Sequence, residues 1–229
     1  MKINPAPFHL AQTVITGLVV ALSIAILGTS AHTLNVYHKQ RTTNPWWMMM
    51  WPQHFQTHGT KALIASAVVT MVLSALFLVM SVVPKVCPIL FERERRHLTS
   101  EQFALRQKYT LRALISVGTI LPSFLLSLIA IVWAHILNRN TPEQDTIQTW
   151  SCRYQNQKPQ AQDAALPSYL SNKDFKGICR ESRFALYGTL VVFLLLGISM
   201  VVTMVTWLAD KWTARQSRKE GVEMGSVQS

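Results

Sequence analysis

Three cysteines and a run of histidines are the residues best suited to do chemistry in this chain. Cys152 and Cys179 share one polar stretch, Asn138 to Arg183, and no other two cysteines can pair within one loop. Placed in an oxidising compartment, such a pair is expected to form a disulfide, whose loop closure would stabilise the fold by about 3.5 kcal/mol in the chain-entropy model. Cys87 stands apart, just after an apolar run and beside a basic stretch, where reversible palmitoylation is one fate and an unmodified thiol the other. His32, His38, His54 and His58 gather around one loop, and His54 and His58 are four apart, a spacing that puts two imidazoles on one helical face. No acidic base stands between them and no further histidine box follows, so an ordinary interfacial pair is expected and no metal is assigned. A Cys-x-x-Cys centre, a nucleophile elbow, a phosphate loop and a dinucleotide fingerprint are all absent, so no catalytic residue and no cofactor is assigned.

The stretches between these residues are dominated by apolar runs. Of the 229 residues, 49% are hydrophobic and only 14% charged. The charge deficit is concentrated: four runs lack Asp, Glu, Lys and Arg altogether, at 10–31, 62–83, 113–137 and 184–208. At 22 to 25 residues each, they are long enough as helices to cross a hydrocarbon core of about 30 Å. The expected fold is therefore all-α, a polytopic membrane protein with four transmembrane helices in a bundle. The first run could instead be a secretory signal, with Lys2 before it and Thr29-Ser30-Ala31 as a small-residue site, but its length favours an uncleaved span.

Details within the runs refine this picture. Gly17, Ala21 and Ala25 repeat every four residues; such a face permits close helix contact, but small residues are simply common in spans and that plainer reading is preferred. Thr119, Ser123 and Ser127 share that spacing, suited to bonding a neighbour or their own carbonyls. Pro84 is expected to end the second run and Pro122 to kink the third. Thr99 with Gln102 fits a capping box, so a helix should start near Ser100. Trp46, Trp47 and Trp51, bracketed by Pro45 and Pro52, suit an aromatic lip at the headgroup level.

Orientation follows from charge. With both ends cytoplasmic, the divisions are an N-terminus at 1–9, an outer loop at 32–60, a basic cytoplasmic loop at 84–112, a second outer loop at 138–183 and a tail at 209–229 whose end should be disordered. Basic residues number twelve inside and ten outside on this scheme, so density in the short basic loop and the cysteine pair decide the side. The membrane would be the plasma membrane or an endomembrane. The net charge of +11 is read as span-flanking residues facing anionic lipid; no zinc-finger spacing or recognition helix points to nucleic acid.

Four spans, two outer loops and a basic inner loop resemble, in plan, tetraspan proteins of the MARVEL type and four-span proteins of filamentous fungi. Cys152 is followed by Arg153 and Tyr154 where tetraspanins carry Cys-Cys-Gly, and the first loop lacks the claudin cysteine pair. The resemblance implies a non-enzymatic role in lateral membrane organisation, trafficking or scaffolding, with lipids, protein neighbours or a second copy as partners. A small transporter or lipid-handling protein using Ser and Thr is the second expectation, and a metalloenzyme built on the loop histidines the third.

Overall fold

The computed structural model of the chain describes residues 6–42, 51, 55–86, 101–139, 145–156 and 174–227. Five helices and two short strands account for nearly all of them: α1 (Ala6–Thr42), β1 (Phe55–Gln56), α2 (His58–Val86), α3 (Glu101–Arg139), β2 (Asp145–Thr146), α4 (Ile147–Tyr154) and α5 (Phe175–Val227). Four of the helices are long and apolar enough to cross a membrane, over Pro7–Arg41, His58–Ser81, Ile115–Arg139 and Phe175–Ala209. Lipid offers no hydrogen bonds, so an apolar run of this length satisfies its backbone only by closing the i→i−4 ladder on itself. The chain is thus a multi-pass, all-α membrane protein with four spanning helices packed as a bundle.

The helices outrun the apolar segments. His32–Thr42, expected in the first loop, continues α1. Pro84 does not stop α2, which runs two residues further to Val86. Proline disrupts the turn before it and leaves following residues free to stay helical. α3 begins at Glu101, one residue past the expected start, and runs through Pro122 to Arg139. The end of the tail, expected to be disordered, is helical as far as Val227. Extending a helix already held in the bundle requires no new nucleus, the costly step for an isolated segment.

Burial along each span follows a repeat of alternating four and three residues. On α1 the buried positions are 12, 16, 19, 23, 26, 30, 33, 37 and 40; on α3 they are 116, 120, 123, 127, 130, 134 and 137. Over 185–206 of α5 the same spacing holds, with Gly188 added. A 3.5-residue repeat keeps one seam facing the neighbours along the whole helix, as in coiled coils. The seam is small and hydroxylated: Thr16, Ser23, Ser30, Ser66, Thr70, Ser74, Ser116, Ser123, Ser127, Thr189, Ser199 and Thr203 are all buried. Large apolar side chains such as Leu10, Ile129, Leu194 and Val201 are exposed instead. Lipid tails solvate leucine as well as a protein interior does, so small residues gain more from helix contact. The Gly17–Ala21–Ala25 stripe is not part of this seam: Ala21 is exposed, and a Cβ on Gly17 would meet nothing within 4 Å. The four-residue period drifts off a seam that advances by 3.5.

The chain forms two compact units. One comprises Met1–Val19, Val72–Pro122 and Leu195–Ser229. Its centre is a buried polar knot in which Gln12 Nε2 donates to Ser116 Oγ at 2.7 Å and to Thr203 Oγ1 at 2.9 Å. The two hydroxyls lie 3.1 Å apart, so α1, α3 and α5 are tied by one closed set of bonds. The other unit comprises Val20–Met71 and Ser123–Leu194. In it a Cβ on Gly188 would stand 3.1 Å from Ile26 Cγ1, so α1 and α5 approach closely at this glycine. Phe124 stacks on Phe193 at 4.4 Å.

Candidate functional site

The polar stretch between α3 and α5 folds onto residues of the first loop to make a cap with its own core. Its frame starts at Asn138, near the end of α3. Asn138 Oδ1 accepts from Thr146 Oγ1 at 2.7 Å, and its Nδ2 donates to Gln148 Oε1 at 2.8 Å. One amide therefore holds both the N-cap and the first turn of α4. Thr146 caps α4 reciprocally: its Oγ1 accepts from Thr149 N at 3.2 Å, and Thr149 Oγ1 accepts from Thr146 N at 2.9 Å. Threonine at the third helical position does here what Glu or Gln does in the usual capping box. Asp145 and Thr146 also pair in parallel with Phe55 and Gln56, so β2 joins the two loops by main-chain contact.

The cap closes over an apolar cluster of Tyr37, Trp51, Ile147, Phe175 and Ile178, flanked by Phe55, Trp150 and Tyr154. Tyr37 stacks on Phe55 at 4.8 Å and meets Trp51 edge-on at 5.1 Å, and Trp51 contacts Phe175 at 5.2 Å. Trp51 is 8% exposed and donates its Nε1–H to Gln40 Oε1 at 3.0 Å. The one member of the expected aromatic lip among the described residues is thus packed inside the cap. A tryptophan satisfied by a buried amide needs no hydrated interface for its N–H. Trp46 and Trp47, the other members of the expected patch, lie outside the described residues, as does Cys87.

Cys152 on α4 and Cys179 on α5 form a disulfide, with Cα atoms 4.9 Å apart and a sequence separation of 27. It locks α4 against the first turns of α5, beside Phe175 and Ile178. Asp145, 7% exposed, has Arg153 Nη1 at 3.6 Å from Oδ1. His32 Nδ1 lies 2.8 Å from Glu181 Oε2 on the surface.

Among the described residues the histidines do not converge. His32 is engaged by Glu181, His38 packs edge-on against Tyr37 at 5.4 Å, and His54 lies outside the described residues. Among the described residues no three or more His, Cys, Asp or Glu side chains come together as metal ligands. Of Thr119, Ser123 and Ser127, the first and last bond their own helix: Thr119 Oγ1 donates to the Ile115 carbonyl at 3.0 Å and Ser127 Oγ to that of Phe124 at 2.9 Å.

Among the described residues, small cavities are formed in each unit. The first, about 10 Å³, is lined by Thr16, Ser74, Phe77, Thr119 and Ser199 among others. The second, about 20 Å³, lies beneath the cap and is lined by Ser30, Thr33, Gly59, Asn138, Thr146 and Ser182 among others. Each has room for about a single water. The Trp51–Gln40 bond and the Asn138 bridge were not legible in the sequence, because both join residues from separate polar stretches with no motif to link them. No protein-family model, no curated protein and no solved structure matches the chain.

Proposed function

We propose that this protein is a non-enzymatic membrane organiser, acting laterally through its lipid-facing helices and its disulfide-tied cap. The observation that carries the reading is the tight seam: short hydroxylated side chains are buried along it, and the two cavities described among them have room for about one water each. The outward helix faces and the cap are then the surfaces through which it meets lipids, other proteins or a second copy. The four-span plan fits the MARVEL-like resemblance. The cap belongs on the extracytosolic side, of the plasma membrane or an endomembrane, with both termini in the cytoplasm. The disulfide supports this side, since such bonds persist in oxidising compartments.

A second reading, transport of a small polar solute or handling of lipid, is favoured by one observation. The hydroxyls of Ser23, Ser30, Thr70 and Ser199 are buried and find no hydrogen-bond partner among the described residues. Purified protein reconstituted in sealed vesicles separates the two. The organiser is expected to retain specific lipids or proteins through purification and to pass solutes no faster than protein-free vesicles. Solute flux above that baseline, or turnover of a defined substrate, would overturn it.

A further inference from the structure

A basic stripe runs down the exposed face of α5 toward the membrane. Lys176, Arg180, Arg183 and Tyr187 are spaced four, three and four apart and all are exposed, so they stand on one side of the helix. No acidic partner engages the three cations among the described residues: Glu181, close in sequence to Arg180 and Arg183, is taken by His32, and Asp174 stands exposed just before α5. The first turn of α5 carries no acid either.

The same helix supplies its own depth gauge. Tyr187 and Trp207 are both exposed and stand twenty residues apart, which in a helix is about 30 Å, the thickness of a hydrocarbon core. Both residue types favour the core's boundaries. With Tyr187 at one boundary, Arg183 stands about 6 Å above it and Arg180 about 10 Å, while Lys176 lies about 16 Å above. Headgroups occupy roughly the first 5–7 Å beyond the core. Arginine stems are long enough to lean along the helix into that layer. Arg183 thus sits at phosphate depth, Arg180 within reach of it, and Lys176 above it as an added attraction.

We propose that the Arg183–Arg180 face of α5 is a binding site for the phosphate of an anionic phospholipid, with Tyr187 against the top of the acyl chains. Guanidinium groups suit phosphate through paired hydrogen bonds that an ammonium does not make. The site rests on the organiser reading above and gives it a lipid class. At the other end of the span Lys211 is engaged over the Trp207 ring at 4.8 Å, which makes it a control for charge alone.

The test uses the full chain in vesicles of phosphatidylcholine with a minor fraction of phosphatidylglycerol, extracted gently and analysed for retained lipid by native mass spectrometry. The wild type is expected to retain phosphatidylglycerol selectively. R180Q/R183Q is expected to lose about tenfold or more of that preference, since each basic group near a charged surface contributes roughly fivefold. K211Q is expected to keep it. Folding of each variant is checked by its Cys152–Cys179 disulfide. Equal retention by R180Q/R183Q, equal loss in K211Q, or no preference in the wild type would each overturn the site. Solute flux is read in the same vesicles: flux with lipid preference intact removes the organiser reading and leaves the site, whereas lost preference without flux removes the site alone.

Discussion

Buried hydroxyls of the same type play unequal parts in this bundle. Gln12, Ser116 and Thr203 satisfy one another across three helices, whereas Ser23 reaches no partner among the described residues. Interhelical bonds in membranes contribute about 0.6–2 kcal/mol, and a polar group without a partner contributes nothing comparable. Gln12→Leu should therefore destabilise the folded protein by about 1–2 kcal/mol, leaving two hydroxyls without their shared donor. Ser23→Ala should change stability by no more than about 0.5 kcal/mol or improve it. Denaturant titration in mild detergent would compare them, and equal losses would contradict the distinction. Trp51→Ala should cost about 3–5 kcal/mol of cap stability by emptying the core and stranding Gln40, read as faster proteolysis in the cap. Sequence spacing identified Thr119, Ser123 and Ser127 as polar positions and allowed for bonds to their own carbonyls, which two of them make. It could not foresee Trp51, because lipid interface and protein core ask the same of an indole: apolar contact for the ring and a partner for its N–H.

The elements were legible where chemistry changes abruptly and illegible where it does not. Charge-free runs marked the spans, since one charge in hydrocarbon outweighs many propensities. Helix ends were misjudged wherever a polar segment continued a helix already formed, as at His32–Thr42 and the tail of α5. Hydropathy marks where the membrane ends, and the helix need not end there. Contact faces were likewise hidden. The stripe at Gly17 had the spacing for a contact face but was read as ordinary span composition, and it makes none; Gly188 makes a close approach, against Ile26. Gly188→Leu should push α1 and α5 apart and destabilise by about 1–3 kcal/mol, while Gly17→Leu, with open space around it, should be tolerated. Thermal stability in detergent decides between them, and a larger loss at Gly17 would reverse the assignment. The disulfide was foreseen from a cysteine pair in one polar stretch, but the short helix α4 that carries Cys152, and the strand before it, were not. Reduction should loosen α4 and its core by about 3.5 kcal/mol and leave the spans folded. Hydrogen exchange would report this as amides of α4 and the start of α5 deprotected ahead of those in the spans.

For the whole molecule, the sequence defined the class and left the working surface open. Four uncharged spans identified a multi-pass membrane protein without help from any relative. What faces inward could be read only from the packed helices, because serine and threonine suit a tight seam and a polar pathway equally well. The central claim is that the seam is closed. Ser127 is fully buried within it, so a Ser127→Cys variant, with Cys87 replaced by Ser, would be exposed in sealed vesicles to a small charged thiol reagent added to each side in turn. A closed bundle predicts no labelling at position 127 from either side until the protein is unfolded. Labelling from both sides in the native state would reveal a water-filled path through the bundle and contradict the account.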